Sequence, residues 1–192
     1  MPLGAARFGL LGGVADLGKL ELISTQTASS DSFVDFTSID ESTYNVHLLQ
    51  VNNYQADTDN TILTVKLYES GVLETSSVYQ YAIQGGRANG TFSEYKSTAS
   101  ANGVSIIGSG IDNASASSAN GYTYFYNLGD SSKYSFCTFM NTTGTNGNDY
   151  NSMFGSGVLP QASTVDGIRL FNFFASGNFD AGVFSLYGIA ES

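Results

Sequence analysis

The sequence predicts an all-β protein, an antiparallel β-sandwich that is jelly-roll-like, and three observations support this. About eleven short stretches alternate apolar with polar residues, as strands with one buried face do. Turn residues, mostly Gly, Asn and Asp, separate these stretches at near-regular intervals. No window keeps the i, i+3, i+4, i+7 spacing of an amphipathic helix over several turns, so we expect little helix.

In chain order, the predicted strands cover residues 20–26, 32–36, 45–51, 61–67, 79–83, 104–107, 122–126, 134–141, 151–154, 168–173 and 183–189. The stretch 89–120 is dominated by Ser, Ala, Gly and Asn, and we expect a long loop or a mobile face there around the single core strand 104–107. The chain has only two prolines and no fixed internal repeat. We therefore predict one sandwich domain over residues 19–192.

Residues 1–18 are predicted to form an extended, Gly-rich docking arm ahead of the sandwich. A signal peptide is the alternative, but three glycines interrupt the apolar stretch between Phe8 and Ala15, and a secretory leader needs a continuous apolar centre. Exposed apolar segments usually have a partner, so we expect the arm to contact a neighbouring subunit or another protein. Its large apolar residues are Leu3, Phe8, Leu10, Leu11 and Val14.

Charge excludes two classes of partner. Only 12% of the 192 residues are charged, and the net charge is −10. The seven Lys and Arg residues are scattered, whereas nucleic-acid binding and docking to anionic lipid both need clustered cations. We therefore expect no nucleic-acid partner and no membrane partner, and no run of apolar residues is long enough to span a bilayer.

The sequence offers little for catalysis, so we predict that the protein is not an enzyme and has no cofactor. It has one histidine, His47, and one cysteine, Cys137, and both lie in apolar strand-like stretches where a structural role is expected. One His and one Cys cannot close a zinc site. The 17 acidic residues cannot be paired from sequence, which leaves glycoside hydrolysis without specific support.

One turn contains oxygen ligands of the kind that calcium prefers. Asp57 and Asp59 lie within the run DTDN, which begins like a calcium-binding loop. However, Ile62 stands where that motif requires Gly, and no Glu closes the loop. An Asx-rich turn between two strands explains the run better, and we predict no metal site, although a calcium ion at Asp57 and Asp59 remains open.

Tyrosines on one predicted strand suggest a contact surface. Tyr122, Tyr124 and Tyr126 alternate with Thr123 and Phe125, so the three rings share one strand face. Together with Tyr79 and Tyr81 they could stack on glycans, because tyrosine combines an apolar ring with a polar tip. A half-buried sheet face or a subunit interface is the favoured alternative for the three rings.

The two ends of the sandwich carry the most specific patterns. The segment from Leu22 to Ser30 reads LISTQTASS. The segment from Ser176 to Ile189 reads SGNFDAGVFSLYGI, in which Phe184 and Leu186 alternate with polar residues. Together with strand 168–173, this second segment predicts a closing β-hairpin with one buried face.

These two end segments resemble a family of β-rich structural virion proteins of tailed, often aquatic, bacteriophages. The resemblance implies a location in the virion, on the capsid surface or the tail, after synthesis in the cytoplasm of a bacterial host. It also implies a capsid decoration (cement) protein whose partner is the major capsid protein or another virion protein. A tail-fibre or receptor-binding module that contacts host surface glycans is the alternative. We expect a homo-oligomer in either case, and such proteins tend to be homotrimers.

Overall fold

The structure, a computed structural model, describes residues 18–114, 116–145, 149–173 and 177–190. Within these ranges the chain forms strands and turns and no helix. The strands are β1 (Leu20–Ala28), β2 (Phe33–Phe36), β3 (Val46–Ala56), β4 (Thr61–Glu69), β5 (Val72–Leu73), β6 (Tyr79–Arg87), β7 (Phe92–Ala101), β8 (Val104–Ile111), β9 (Ala119–Tyr126), β10 (Tyr134–Thr145), β11 (Asp149–Ala162), β12 (Val165–Asn172) and β13 (Phe179–Ile189). The described residues therefore include no helix that could cross a bilayer.

The strands pair antiparallel and form two layers. The large sheet has the order β1-β13-β3-β9-β10-β11-β6-β7. The small sheet has the order β8-β4-β12-β2, and the short β5 extends it beside β4. The two sheets meet at one corner, where Thr145 of β10 pairs with Ile111 of β8.

The connectivity is that of a jelly roll with two insertions. If β5–β7 and β10–β11 are set aside, eight strands remain in two sheets of four. We count these eight strands from one to eight along the chain. The sheet β1-β13-β3-β9 then has the order 1-8-3-6, and the sheet β2-β12-β4-β8 has the order 2-7-4-5. This interleaving of successive strands between facing sheets is the jelly-roll arrangement. The inserted strands widen the first sheet to eight, and the predicted fold class is confirmed.

The core lies between the two sheets. Along β10 every second side chain points inward, so Cys137 and Phe139 are buried while their neighbours are exposed. The layers approach closely at Gly157 of β11, where an added Cβ would lie 2.5 Å from the Val104 side chain of β8. A hydrogen bond also crosses this core, because the backbone N–H of Leu67 on β4 donates to the Tyr79 hydroxyl on β6 at 2.9 Å.

The predicted closing hairpin is wrong. β12 pairs with β4 and β2 in the small sheet, whereas β13 pairs with β1 and β3 in the large sheet. The chain between them therefore crosses from one layer to the other instead of turning back on itself. The predicted burial of Phe184 and Leu186 is confirmed, whereas Ser185 between them is also buried, on the opposite face of β13.

The predicted loop over residues 89–120 is also wrong. This stretch contains β7, β8 and the start of β9. β7 is the edge strand of the large sheet, paired with β6 alone, and most of its described side chains are exposed. A strand exposed on both faces does not need the apolar alternation by which strands are recognised, so its polar composition resembles that of a loop.

Candidate binding site on the large sheet

The candidate site lies on the outer face of the large sheet, which is the face turned away from the small sheet. Antiparallel pairing aligns side chains of neighbouring strands in rows across this face. One such row, the central row, crosses five strands from β9 to β7. It consists of Tyr124, Thr138, Ser156, Ala82 and Lys96.

Larger side chains stand on both sides of the central row. On one side Met140 and Phe154 are paired, and on the other Phe136 and Val158 are paired. Phe154 is 55% exposed, and Phe136 and Met140 are each 44% exposed. Such exposure is high for apolar residues in the middle strands of a sheet. The small residues of the central row therefore form the floor of a groove with apolar walls.

Two adjoining depressions occupy this groove. The larger, about 420 Å³, is lined by Gln84, Glu94, Lys96 and Phe154 among others. The smaller, about 270 Å³, lies beside Phe136. Both depressions include Ala82 and Ser156 in their lining, so they form one continuous trough. The lining residues belong to β7, β6 and β11, with Phe136 from β10. The central row continues past the depressions through Thr138 to Tyr124, and from β9 to β7 this row spans four strand spacings, or roughly 19 Å.

The tyrosine stripe, Tyr122, Tyr124 and Tyr126, lies on β9 at the end of the central row. The predicted sharing of one face is confirmed, and the rings of Tyr122 and Tyr124 pack edge to face with centroids 5.7 Å apart. The rings of Tyr124 and Tyr126 stack at 6.5 Å. The Tyr126 hydroxyl lies 3.0 Å from Oγ1 of Thr138, on the floor of the trough. A glycan contact by these rings remains a prediction.

The two other tyrosines proposed to contact glycans lie on β6, at positions of opposite parity to Gln80 and Ala82. Tyr79 is fully buried, and burial raises the pKa of its hydroxyl. Tyr81 faces inward as well, and it packs against the buried core. The suggestion of a glycan contact is therefore wrong for Tyr79, whose ring is out of reach of any ligand. Tyr81 is half-buried and is among the residues that line the smaller depression, so a glycan contact by its ring stays a prediction.

The trough is lined by one acidic and one basic side chain. Glu94 and Lys96 stand on β7, two residues apart and so on the same face of the strand. The amide of Gln84 donates to the Glu94 carboxylate at 3.5 Å. Hydroxyls of Thr138 and Ser156 add neutral hydrogen-bonding groups on the floor. The trough therefore combines apolar walls with a polar floor, and its two charges cancel.

The histidine and the cysteine are enclosed in the core, as predicted. His47 is fully buried, its Nε2 lies 2.7 Å from the carbonyl oxygen of Ile39, and burial lowers the pKa of its ring. Cys137 faces the interior, and burial raises the pKa of its thiol to about 12. A neutral buried imidazole and a protonated buried thiol fit structural roles.

The acidic turn between β3 and β4 is held by its own hydrogen bonds. Oδ1 of Asp57 accepts a bond from the Thr58 hydroxyl at 3.0 Å. Oδ1 of Asp59 accepts a bond from the backbone N–H of Asn113 at 2.9 Å. Within the described ranges, no three His, Cys, Asp or Glu side chains are grouped as a metal site would require.

The residues of the predicted arm, Leu3, Phe8, Leu10, Leu11 and Val14, lie outside the described residues. The walls and floor of the trough are not evident from the sequence. Phe136 and Phe154 lie in predicted strands, but nothing in the sequence places those strands side by side. The pairing of β11 with both β10 and β6 brings these side chains together.

Comparison with known proteins gives no family. No protein-family model matches the chain, and no curated protein matches it. Among solved structures, a fructofuranosidase from Schwanniomyces occidentalis complexed with fructosylnystose aligns over 88% of this chain and 34% of its own, at 8% identity and a TM-score of 0.28. The chain thus spans about a third of the length of that enzyme. A TM-score this low does not establish a shared fold.

Proposed function

We propose that the protein is a non-enzymatic structural component of a tailed-phage virion, and that it acts as a capsid decoration protein on the outer shell. The family resemblance of the segments Leu22–Ser30 and Ser176–Ile189 supports this proposal. A jelly-roll sandwich also suits the role, although this fold hosts many functions, and its exposed surfaces determine which partner it binds.

The position of Gly18, the first described residue, carries the proposal. Gly18 donates its backbone N–H to the carbonyl oxygen of Ala190 at 3.0 Å, and it directly precedes β1, the edge strand of the large sheet. Leu20 and Leu22 on this strand are 48% and 59% exposed. An apolar edge continuous with an apolar arm suits attachment to a partner. The trough lies at the opposite side of the same sheet and would remain free.

The interior chemistry supports a non-enzymatic role. His47 and Cys137 are buried away from the trough, and Glu94 is the carboxylate among the described trough-lining residues. Hydrolysis of a glycoside ordinarily uses two carboxylates that face each other across the substrate. The trough therefore favours binding without turnover.

We propose that the attached form is a homo-oligomer, with a trimer favoured, and that its partner is the major capsid protein or a neighbouring virion protein. Only 12% of the residues are charged, which leaves uncharged surface available for contacts between copies. The second candidate function is a receptor-binding module at the tail. The trough favours it, because an aromatic surface opposite the attachment edge would be presented to the host.

The copy number of the protein in purified particles separates these two functions. Copies in proportion to the major capsid protein support decoration, whereas a few copies per particle support a tail module. Deletion of residues 1–18 tests the attachment. We expect the shortened chain to keep its β-type circular dichroism and to lose binding to particles. Val72→Ser is the control variant, because Val72 is exposed on β5 of the small sheet, and this variant should bind normally.

A further inference from the structure

We propose that the trough on the outer face of the large sheet binds an uncharged glycan chain, laid across the strands from Tyr124 to Lys96. This inference deepens the second candidate function, the receptor-binding module. It rests on that function in one respect, which is that the outer face of the large sheet is a binding surface.

The trough has the two kinds of surface that a sugar ring needs. A pyranose ring presents an apolar C–H face and a rim of hydroxyl groups. The exposed rings of Phe154 and Phe136 offer flat surfaces against which C–H faces can pack. The floor between them carries the Ser156 and Thr138 hydroxyls, and the Gln84 amide stands at one side. Hydrogen-bonding groups thus lie between two apolar walls, at intervals of one strand.

Charge selects the class of glycan. Glu94 and Lys96 are the charged side chains among the described lining residues of the trough, and they cancel. The whole chain has a net charge of −10, which repels acidic polymers. An uncharged polysaccharide avoids this repulsion, and its hydroxyls can both donate to Glu94 and accept from Lys96.

The shape of the trough argues against a protein partner. A docked helix or a second sheet buries an apolar stripe against a continuous apolar surface. Here the floor consists of Thr138, Ser156 and the methyl group of Ala82, set below the walls. A depression with a hydroxyl-bearing floor suits a polar chain better than the continuous apolar face of a helix or a sheet.

The test is affinity electrophoresis of the full chain through gels that contain a polysaccharide. The uncharged probes are dextran, mannan and galactomannan, and the acidic probes are dextran sulfate and polygalacturonate. We expect at least one uncharged probe to retard the protein and neither acidic probe to do so. Ala82→Trp fills the floor and should abolish retardation. Phe154→Ala removes one wall and should weaken binding by roughly ten-fold.

Thr27→Trp is the matched control, because Thr27 is exposed on the same outer face but on β1, at the far edge of the sheet. This variant should bind as the wild type does. The inference would be overturned if no uncharged probe retarded the protein, or if Ala82→Trp left the retardation unchanged. It would also be overturned if the wild type were an oligomer that Ala82→Trp dissociates, because a second copy would then fill the trough. Because the assay uses isolated protein, a finding that the protein is absent from virions would not contradict glycan binding by the trough. Likewise, a failure to bind any polysaccharide would not contradict a location in the virion.

Discussion

The Tyr54 hydroxyl on β3 donates a hydrogen bond to Oδ1 of Asn172, the last residue of β12, and so joins the two sheets through the core. Tyr54 is fully buried, and its ring packs at 5.3 Å from that of Phe179. The Asn172 amide in turn donates to the carbonyl oxygens of Gly177 and Asn178, at 3.2 and 3.1 Å. One buried polar pair therefore holds the crossover from β12 to β13.

We expect Tyr54→Phe to lower the free energy of unfolding by about 1–2 kcal/mol, because the substitution leaves the buried Asn172 oxygen without its donor. Denaturant titration measured by tyrosine fluorescence or circular dichroism gives this value. Tyr150→Phe is the control, since Tyr150 is 75% exposed and its change should have no effect. Equal stability of Tyr54→Phe and the wild type would show that the pair contributes nothing.

The contact between Gly157 and Val104 predicts a size limit at the centre of the core. In Gly157→Ala, the new methyl group would lie 2.5 Å from one γ-carbon of Val104 and 2.7 Å from the other. Overpacking of this kind costs about 1–3 kcal/mol, and we expect that loss in thermal or chemical unfolding. Gly108→Ala is the matched control, because its nearest side-chain atoms lie at 3.6 Å, an ordinary contact distance.

Combining Gly157→Ala with Val104→Ala separates steric overlap from other effects of the substitution. Shortening Val104 makes room for the new methyl group, so the double variant should be more stable than the sum of the two single losses predicts. Strictly additive losses would mean that the two residues do not compete for the same space.

The sequence predicts the strand faces better than the strand partners. Alternation places Phe184 and Leu186 inward and the three tyrosines of β9 on one face, because side chains of a strand alternate with a period of two. Backbone pairing itself depends little on side-chain identity, so neighbouring strands are not evident from the residues. For this reason β12 and β13, adjacent in the chain, are wrongly predicted as a hairpin.

The trough illustrates the same limit at the level of the site. Ala82 and Lys96 belong to β6 and β7, consecutive strands of one insertion, whereas Ser156 belongs to β11 in the other insertion of the jelly roll. None of the three residues carries a motif. Their juxtaposition depends on β11 pairing with β6 and β6 pairing with β7, and β7 itself has the composition of a loop. Only the tyrosine stripe at the end of the central row follows from local alternation.

The buried His47 predicts loss of stability in mild acid. Burial lowers the pKa of this ring in the folded state, while the unfolded chain keeps the ordinary value of about 6.5. Below that value the unfolded chain binds the proton more readily than the folded protein, so stability falls as the pH drops from about 7 toward 5. His47→Gln should remove this part of the pH dependence in denaturant titrations. An unchanged slope in His47→Gln would assign the effect to other groups.

The ion pair between Arg169 and Asp35 on the small sheet predicts that arginine is required there. Nε and Nη2 of Arg169 donate to the two Asp35 oxygens at 2.8 and 2.6 Å, and the guanidinium lies 3.7 Å from the centroid of the Phe33 ring. Lysine keeps the charge but has neither the two-pronged geometry nor the flat stacking surface. Arg169→Lys should therefore lower the free energy of unfolding by about 1 kcal/mol.

An exposed pair on the same molecule is the comparison for Arg169→Lys. Lys133 lies 3.1 Å from Asp130, but its side chain is 62% exposed, whereas that of Arg169 is 23% exposed. Water screens the exposed pair, so Lys133→Ala should leave stability within a few tenths of a kcal/mol of the wild type. Added salt should reduce any effect of Lys133→Ala further and leave most of the Arg169→Lys loss, since the stacking on Phe33 does not depend on ionic strength. If Arg169→Lys and Lys133→Ala lowered the free energy of unfolding equally, the two-pronged hydrogen bonds and the stacking on Phe33 would contribute no more than an exposed ion pair does.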